Sequence, residues 1–175
     1  MPMNKKLKYF SYIIIVLLIL LYFYNIGDIG VIKNRIEADA RKAHHIPENW
    51  LVAKDTTKSM SALVFYPDDL SRYTLSIYVN RPVLSFGYKF RYGSAGSIEE
   101  KSYVREFRLQ GIDDRAFISI NKQYISRVEI DDGIEVKKID IYSKNPFVII
   151  LPINCGHVTF YDLFEKEIET IKSGF

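Results

Sequence analysis

Residues 13–21 read Ile-Ile-Ile-Val-Leu-Leu-Ile-Leu-Leu, nine consecutive side chains without a polar atom. No other feature restricts the chain so tightly. A helix that is apolar on every side must be surrounded, whereas an ordinary surface helix needs only one covered face. Tyr9, Phe10 and Tyr12 precede the run, and Tyr22, Phe23 and Tyr24 follow it. Aromatic rings with a polar tip favour the two headgroup regions of a bilayer. As a helix, residues 9–26 extend about 27 Å, close to a hydrocarbon core of about 30 Å.

A cleaved signal peptide is the competing reading. Its apolar region ends in a small-residue cleavage site, whereas residues 22–26 are Tyr-Phe-Tyr-Asn-Ile. The single cysteine, Cys155, is also far from any position where a lipid could be attached to an N-terminal cysteine. The expectation is therefore a retained signal anchor, a single-pass transmembrane helix over residues 9–26 that contacts the lipid bilayer.

Charge orients this anchor. Lys5, Lys6 and Lys8 lie just before it in a basic tail of residues 1–8. Lys33, Arg35, Arg41 and Lys42 follow farther out, mixed with Asp28, Glu37 and Asp39. Basic residues near the helix stay on the cytoplasmic side, which predicts a cytoplasmic N-terminus and an extracytoplasmic remainder. The net charge of +3 belongs to this tail, because the other 21 Lys and Arg meet 21 Asp and Glu. A remainder of zero formal charge offers no general attraction for nucleic acid.

One cysteine permits no intrachain disulfide. Small domains in strongly oxidising compartments are usually cross-linked, so a bacterial envelope suits this chain better than an animal cell surface. The alternative role for Cys155 is nucleophilic, with His157 two residues on as the base. The local sequence Asn154-Cys155-Gly156 reads more simply as a turn.

Residues 27–49 form the expected juxtamembrane stalk. Ile32, Ile36, Ala40 and Ala43 recur at helical spacing over residues 31–45, Glu37 and Arg41 can pair across one turn, and Pro47 ends the pattern. Such a helix is a spacer, or else a dimerising or membrane-surface element. Adjacent His44 and His45 point about 100° apart on a helix and cannot share a metal ion.

From residue 50 to 175 the period becomes that of a β domain. Leu75, Ile77 and Val79 alternate with Thr74, Ser76 and Tyr78; residues 84–92 alternate equally cleanly. Arg81-Pro82 between them marks a turn or bulge. Strands follow over residues 103–109, near residues 116–120 and over residues 124–130. Asp131-Asp132-Gly133 is then a tight hairpin turn. A change of phase near Lys137-Lys138 suggests a bulge. Residues 147–151, Phe-Val-Ile-Ile-Leu, suit a central strand buried on both faces. Residues 157–162 and 167–171 are read as a last hairpin, with a helix over residues 161–172 as the alternative. About nine strands with turns every 8–12 residues or so predict a mostly β fold, an antiparallel β-sandwich for which an immunoglobulin-like layout is one arrangement.

No residue set nominates a catalytic, cofactor-binding or metal-binding centre. Gly93-Ser94-Ala95-Gly96-Ser97 leads into another strand and not into a helix, so it reads as a flexible hairpin loop and not as a phosphate cradle. The acidic doublets Asp68-Asp69, Asp113-Asp114 and Asp131-Asp132 lack the spacing of a calcium loop and fit turns. Tyr78, Tyr92, Tyr103 and Tyr124 are the candidate binding residues, as parts of an exposed aromatic patch. The expected function is a membrane-anchored, non-catalytic binding or sensor module. A structural subunit of an envelope complex, meeting a protein partner or a second copy of itself, is the alternative.

Overall fold

The computed structural model describes residues 5–25, 30–80, 87–97, 104–142 and 144–174. About half of the described residues are strand, in largely antiparallel sheets. Helix α1 (Lys5–Asn25) contains the apolar run, and every described side chain on it, from Lys8 to Tyr22, is exposed. Among the described residues no helix is long and apolar enough to cross a membrane. The membrane-spanning helix expected over residues 9–26 is thus not supported by the fold. The uninterrupted aliphatic run has nine residues, about 14 Å of helix and half of a hydrocarbon core.

The body is a stack of three four-stranded sheets. The first is a meander of β1 (Leu51–Thr56), β2 (Met60–Tyr66), β3 (Arg72–Val79) and β4 (Lys89–Ser97), each paired antiparallel with the next. The second has the order β12-β5-β6-β9, comprising β5 (Val104–Arg108), β6 (Asp114–Ser119), β9 (Phe147–Pro152) and β12 (Thr170–Gly174). Here β12 runs parallel to β5, and the other pairs are antiparallel. The third has the order β11-β10-β7-β8, from β7 (Ile125–Asp131), β8 (Val136–Asp140), β10 (His157–Asp162) and β11 (Glu167–Ile168).

Alternation along the strands builds the layers. Ala116 and Ile118 of β6 pack with Met60, Val64, Leu75 and Ile77 of the first sheet. Phe117, between them, points the other way into a cluster with Ile125, Val128 and Phe160 of the third sheet. The first sheet is also covered on its outer face, where Leu63, Phe65 and Tyr78 meet α2 (Ile36–Ala43) through Ile36 and Ala40. All seven residues of β2 are buried, the pattern of a strand covered on both faces. Three stacked sheets, with a four-strand meander as the first, differ from the two-sheet immunoglobulin-like layout. Twelve strands are present among the described residues, where the periodicity suggested nine.

Several local expectations are corrected. The glycine-rich residues 93–97 are not a loop: they are the second half of β4, with Gly93 opposite Ser76 and Ser97 opposite Arg72. Residues 147–151 are indeed covered on both faces, yet β9 lies at an edge of its sheet. Its exposed ladder is partly closed by Asp55, whose carboxylate accepts the Ile150 N–H at 2.8 Å. No bulge interrupts β8, which pairs in continuous register with β7. The phase change arises because Ile134 and Val136 simply stand in solvent. The last hairpin forms as β10 and β11, and the chain then crosses to pair as β12. Arg81-Pro82 and Tyr103 lie outside the described residues.

Phe160 is fully buried, with its ring 5.3 Å from Phe117 and 5.8 Å from Phe147. Phe160→Ala should lower the unfolding free energy by about 3–5 kcal/mol. Ile134→Ala, at a side chain 95% exposed, should change it by less than about 0.5 kcal/mol. Denaturant titration of both variants measures the difference.

Candidate functional site

The segment after α1 is docked onto the body, where a free spacer was the expectation. Val31 and Tyr88 exchange two backbone hydrogen bonds, at 2.7 and 2.8 Å. The approach is close enough that a Cβ on Gly87 would stand 2.7 Å from the Val31 carbonyl oxygen, and one on Gly30 2.8 Å from the Gly87 backbone. Glycine on both sides permits this crossing. A short 3-10 turn (Lys33–Arg35) then leads into α2. The helix is shorter than the spacing over residues 31–45 suggested; Ile36 and Ala40 of the stripe are buried, and Ile32 is half exposed.

Polar side chains fix α2 in place. The Tyr78 hydroxyl donates to Asp39 Oδ2 at 2.7 Å. Burial, and then this acceptor, push the phenol far above its ordinary range, so it stays a donor. Arg41 donates to Glu37 Oε1, to the Pro47 carbonyl at 3.0 Å and to the Trp50 carbonyl at 3.0 Å. Its guanidinium lies 4.9 Å from the centre of the Phe65 ring, an attractive placement for a cation. Glu37 also accepts from Lys54 Nζ of β1 at 2.6 Å. That hydrogen bond, with a second from Arg41, holds the Glu37 carboxyl below its ordinary value against the opposing effect of burial.

These elements enclose an open groove of about 600 Å³ between α2 and the β1–β2 hairpin. Lys33, Asn34 and Glu37 form one wall, and Lys54, Thr56 and Ser61 the other. Lys33 and Lys54 supply cationic groups, while Ile36 and Leu63 give an apolar floor. A groove of this kind can hold an anionic group by its charge and a short apolar group by its floor.

The candidate tyrosines are not brought onto one face. Tyr78 is fully buried beneath α2. Tyr92 packs on the opposite side of the first sheet, its ring 5.5 Å from Phe107. Tyr124 is 52% exposed, in the turn before β7. Alternation along β3 and the crossing of sheets decide these places, and neither is visible in a count of tyrosines.

Cys155 lies in the expected turn, its N–H bonded to the Pro152 carbonyl. Its sulfur meets Arg115 Nη2 at 3.4 Å, and it is Arg115, not His157, that reaches it. Arg115 belongs to a buried pair that sequence reading did not single out. Its Nη1 lies 3.1 Å from Glu106 Oε1, which also takes Arg108 Nε at 2.6 Å. Glu106 and Arg115 expose 3% and 7% of their side chains. They line a cavity of about 500 Å³ between the second and third sheets, with His157 and Lys172 at its mouth. The sequence carries little signal for the pair, since β5 also holds Arg105 and Arg108 and β6 also holds Asp114.

Each of the three acidic doublets has a structural role. Asp131 and Asp132 accept the N–H groups of Gly133, Ile134 and Glu135 within the hairpin turn. Asp114 Oδ2 accepts the hydroxyls of Thr57, at 2.5 Å, and of Ser59, tying the β1–β2 turn to β6. Asp69 accepts the Ser71 N–H at 3.0 Å. Among the described residues no group of three or more His, Cys, Asp or Glu is placed to hold a metal ion. His44 packs against Phe90 with ring centres 5.4 Å apart. Gly93 makes that possible, since a Cβ there would stand 2.9 Å from the imidazole.

No protein family, curated protein or solved structure matches this chain. Function must therefore be argued from the geometry itself.

Two outcomes follow from the ion pairs. Glu37 has a lowered pKa in the folded state, so its contribution is present above the ordinary carboxylate range and disappears as pH falls through the folded value. The melting temperature gap between the wild type and Glu37→Gln should be widest near neutral pH and close in acid. In contrast, Arg115→Met leaves the buried Glu106 with Arg108 alone and should cost about 3 kcal/mol, the low end for a broken buried pair, part of it recovered by adding Glu106→Leu. Unfolding titrations of the single and double variants test this.

Proposed function

We propose that this protein is a single-pass, membrane-tethered binding module of a bacterial envelope, with a cytoplasmic N-terminus and an extracytoplasmic β body that performs no chemistry. The observation that carries this reading is α1, whose aliphatic side chains over residues 13–21 are each 41–60% exposed. Removing a large aliphatic side chain from water is worth roughly 1.5–3 kcal/mol. Nine of them favour an apolar surrounding by an amount larger than the stability of a typical domain. Lipid supplies that surrounding, and Tyr9, Phe10, Tyr12 and Tyr22 are placed to meet its headgroup regions.

Binding is favoured over catalysis because the charged groups inside the cavities are already engaged with one another. Glu106 is held by Arg108 and Arg115, and Glu37 by Arg41 and Lys54. A body stacked in three sheets is a rigid carrier for the groove beside α2. Its sandwich-like packing suits presentation of a surface more than motion.

The full chain should stay in the membrane fraction through alkaline carbonate extraction. Leu17→Lys combined with Leu18→Lys should release it, because each lysine at mid-helix costs about 2.5–3.5 kcal/mol of insertion. A wild-type chain that is soluble and monodisperse without detergent sinks the tether. Crosslinking through α1 into discrete homo-oligomers would instead support the role of an assembly subunit.

A further inference from the structure

The geometry points to the face formed by the 3-10 turn, α2 and the adjoining groove as a docking surface for anionic phospholipid headgroups of the leaflet next to the body. This inference rests on α1 being the lipid tether. Its first support is reach. Val31 is fixed to the body by its pairing with Tyr88, and only six peptide steps separate it from Asn25, the last residue of α1. A fully extended chain covers about 3.3–3.6 Å per residue, so Val31, where this face begins, lies within about 20 Å of the end of α1. A body so tightly leashed keeps its docked segment within reach of the headgroup layer.

The second support is charge. Ile36 and Ala40 of α2 point into the body. Arg35, Ala38 and Lys42 fall at spacings of three and four on the opposite side, and all three are exposed. Lys33 is exposed at the rim of the groove, its Nζ 3.5 Å from the Thr56 carbonyl of β1. Over residues 33–42 four cations meet two acids, Glu37 paired with Arg41 and Lys54 and Asp39 held by the neutral Tyr78 hydroxyl, so the stretch keeps a positive excess. The outward side of α2 carries Arg35 and Lys42 about the small Ala38, and the groove rim carries Lys33 and the half-exposed Ile32. Cationic juxtamembrane surfaces are drawn to anionic leaflets by about 1 kcal/mol for each Lys or Arg near the surface. The groove lets a phosphate approach Lys33 and Asn34 while acyl or glycerol carbons meet Ile32.

The test uses the full chain in lipid nanodiscs, either phosphatidylcholine alone or phosphatidylcholine with phosphatidylglycerol, followed by amide hydrogen exchange. Phosphatidylglycerol should slow exchange over residues 33–42 by about tenfold. Combined Lys33→Gln, Arg35→Gln and Lys42→Gln should abolish that protection, while Lys137→Gln with Lys166→Gln on the third sheet should retain it. Equal exchange in the two lipids, or unchanged protection in the triple variant, overturns the surface. So does equal protection by inorganic phosphate in phosphatidylcholine discs, which would assign the site to a free anion. Failure of the chain to enter either disc is a separate result that overturns the tether, and the surface with it.

Discussion

The second sheet is buried on both faces, and the rest of the body depends on that. Ala116 and Ile118 of β6 turn toward the first sheet, while Phe117 turns toward the third. One six-residue strand therefore contributes to two cores. Interiors of this kind are close-packed, so the positions of the outer sheets follow from the side chains of the middle one. Asp114 and Asp55 lie where these layers meet and use their carboxylates to close hydroxyl and N–H groups that strand pairing leaves open.

The same economy explains the helix. α2 is only eight residues long, too short to persist alone in water. It persists because Ile36 and Ala40 complete the outer core of the first sheet and because Tyr78 and Arg41 anchor its polar side. A segment that could have been a loose spacer becomes part of the body. Its docking leaves a groove against the β1–β2 hairpin, lined by Lys33, Glu37 and Lys54.

Much of the strand pattern was legible from period and turn chemistry. The β3, β5, β6, β7 and β10 regions fall where alternation puts them, and the Asp-Gly turn between β7 and β8 forms as its residues dictate. Residues 93–97 misled because glycine and serine usually mark loops, whereas here Gly93 leaves room for His44 and Phe90 within a strand. The all-buried β2 carried no alternation to find, since both of its faces are covered. Of the candidate tyrosines, Tyr78 was informative as a residue but not as an exposed one. Its hydroxyl was needed inside, by Asp39.

The sequence by itself determined a helix with a nine-residue aliphatic run, a charge excess confined to its N-terminal flank, and a body of predominantly β character, because these depend on composition and on periods of a few residues. Tertiary structure alone decided that the body is three sheets and not two. It also decided that Glu106 and Arg115 meet, and that residues 31–43 are docked on the first sheet with Arg41 turned inward. Each of these joins residues far apart in the chain, and no local period records which distant face a side chain will find.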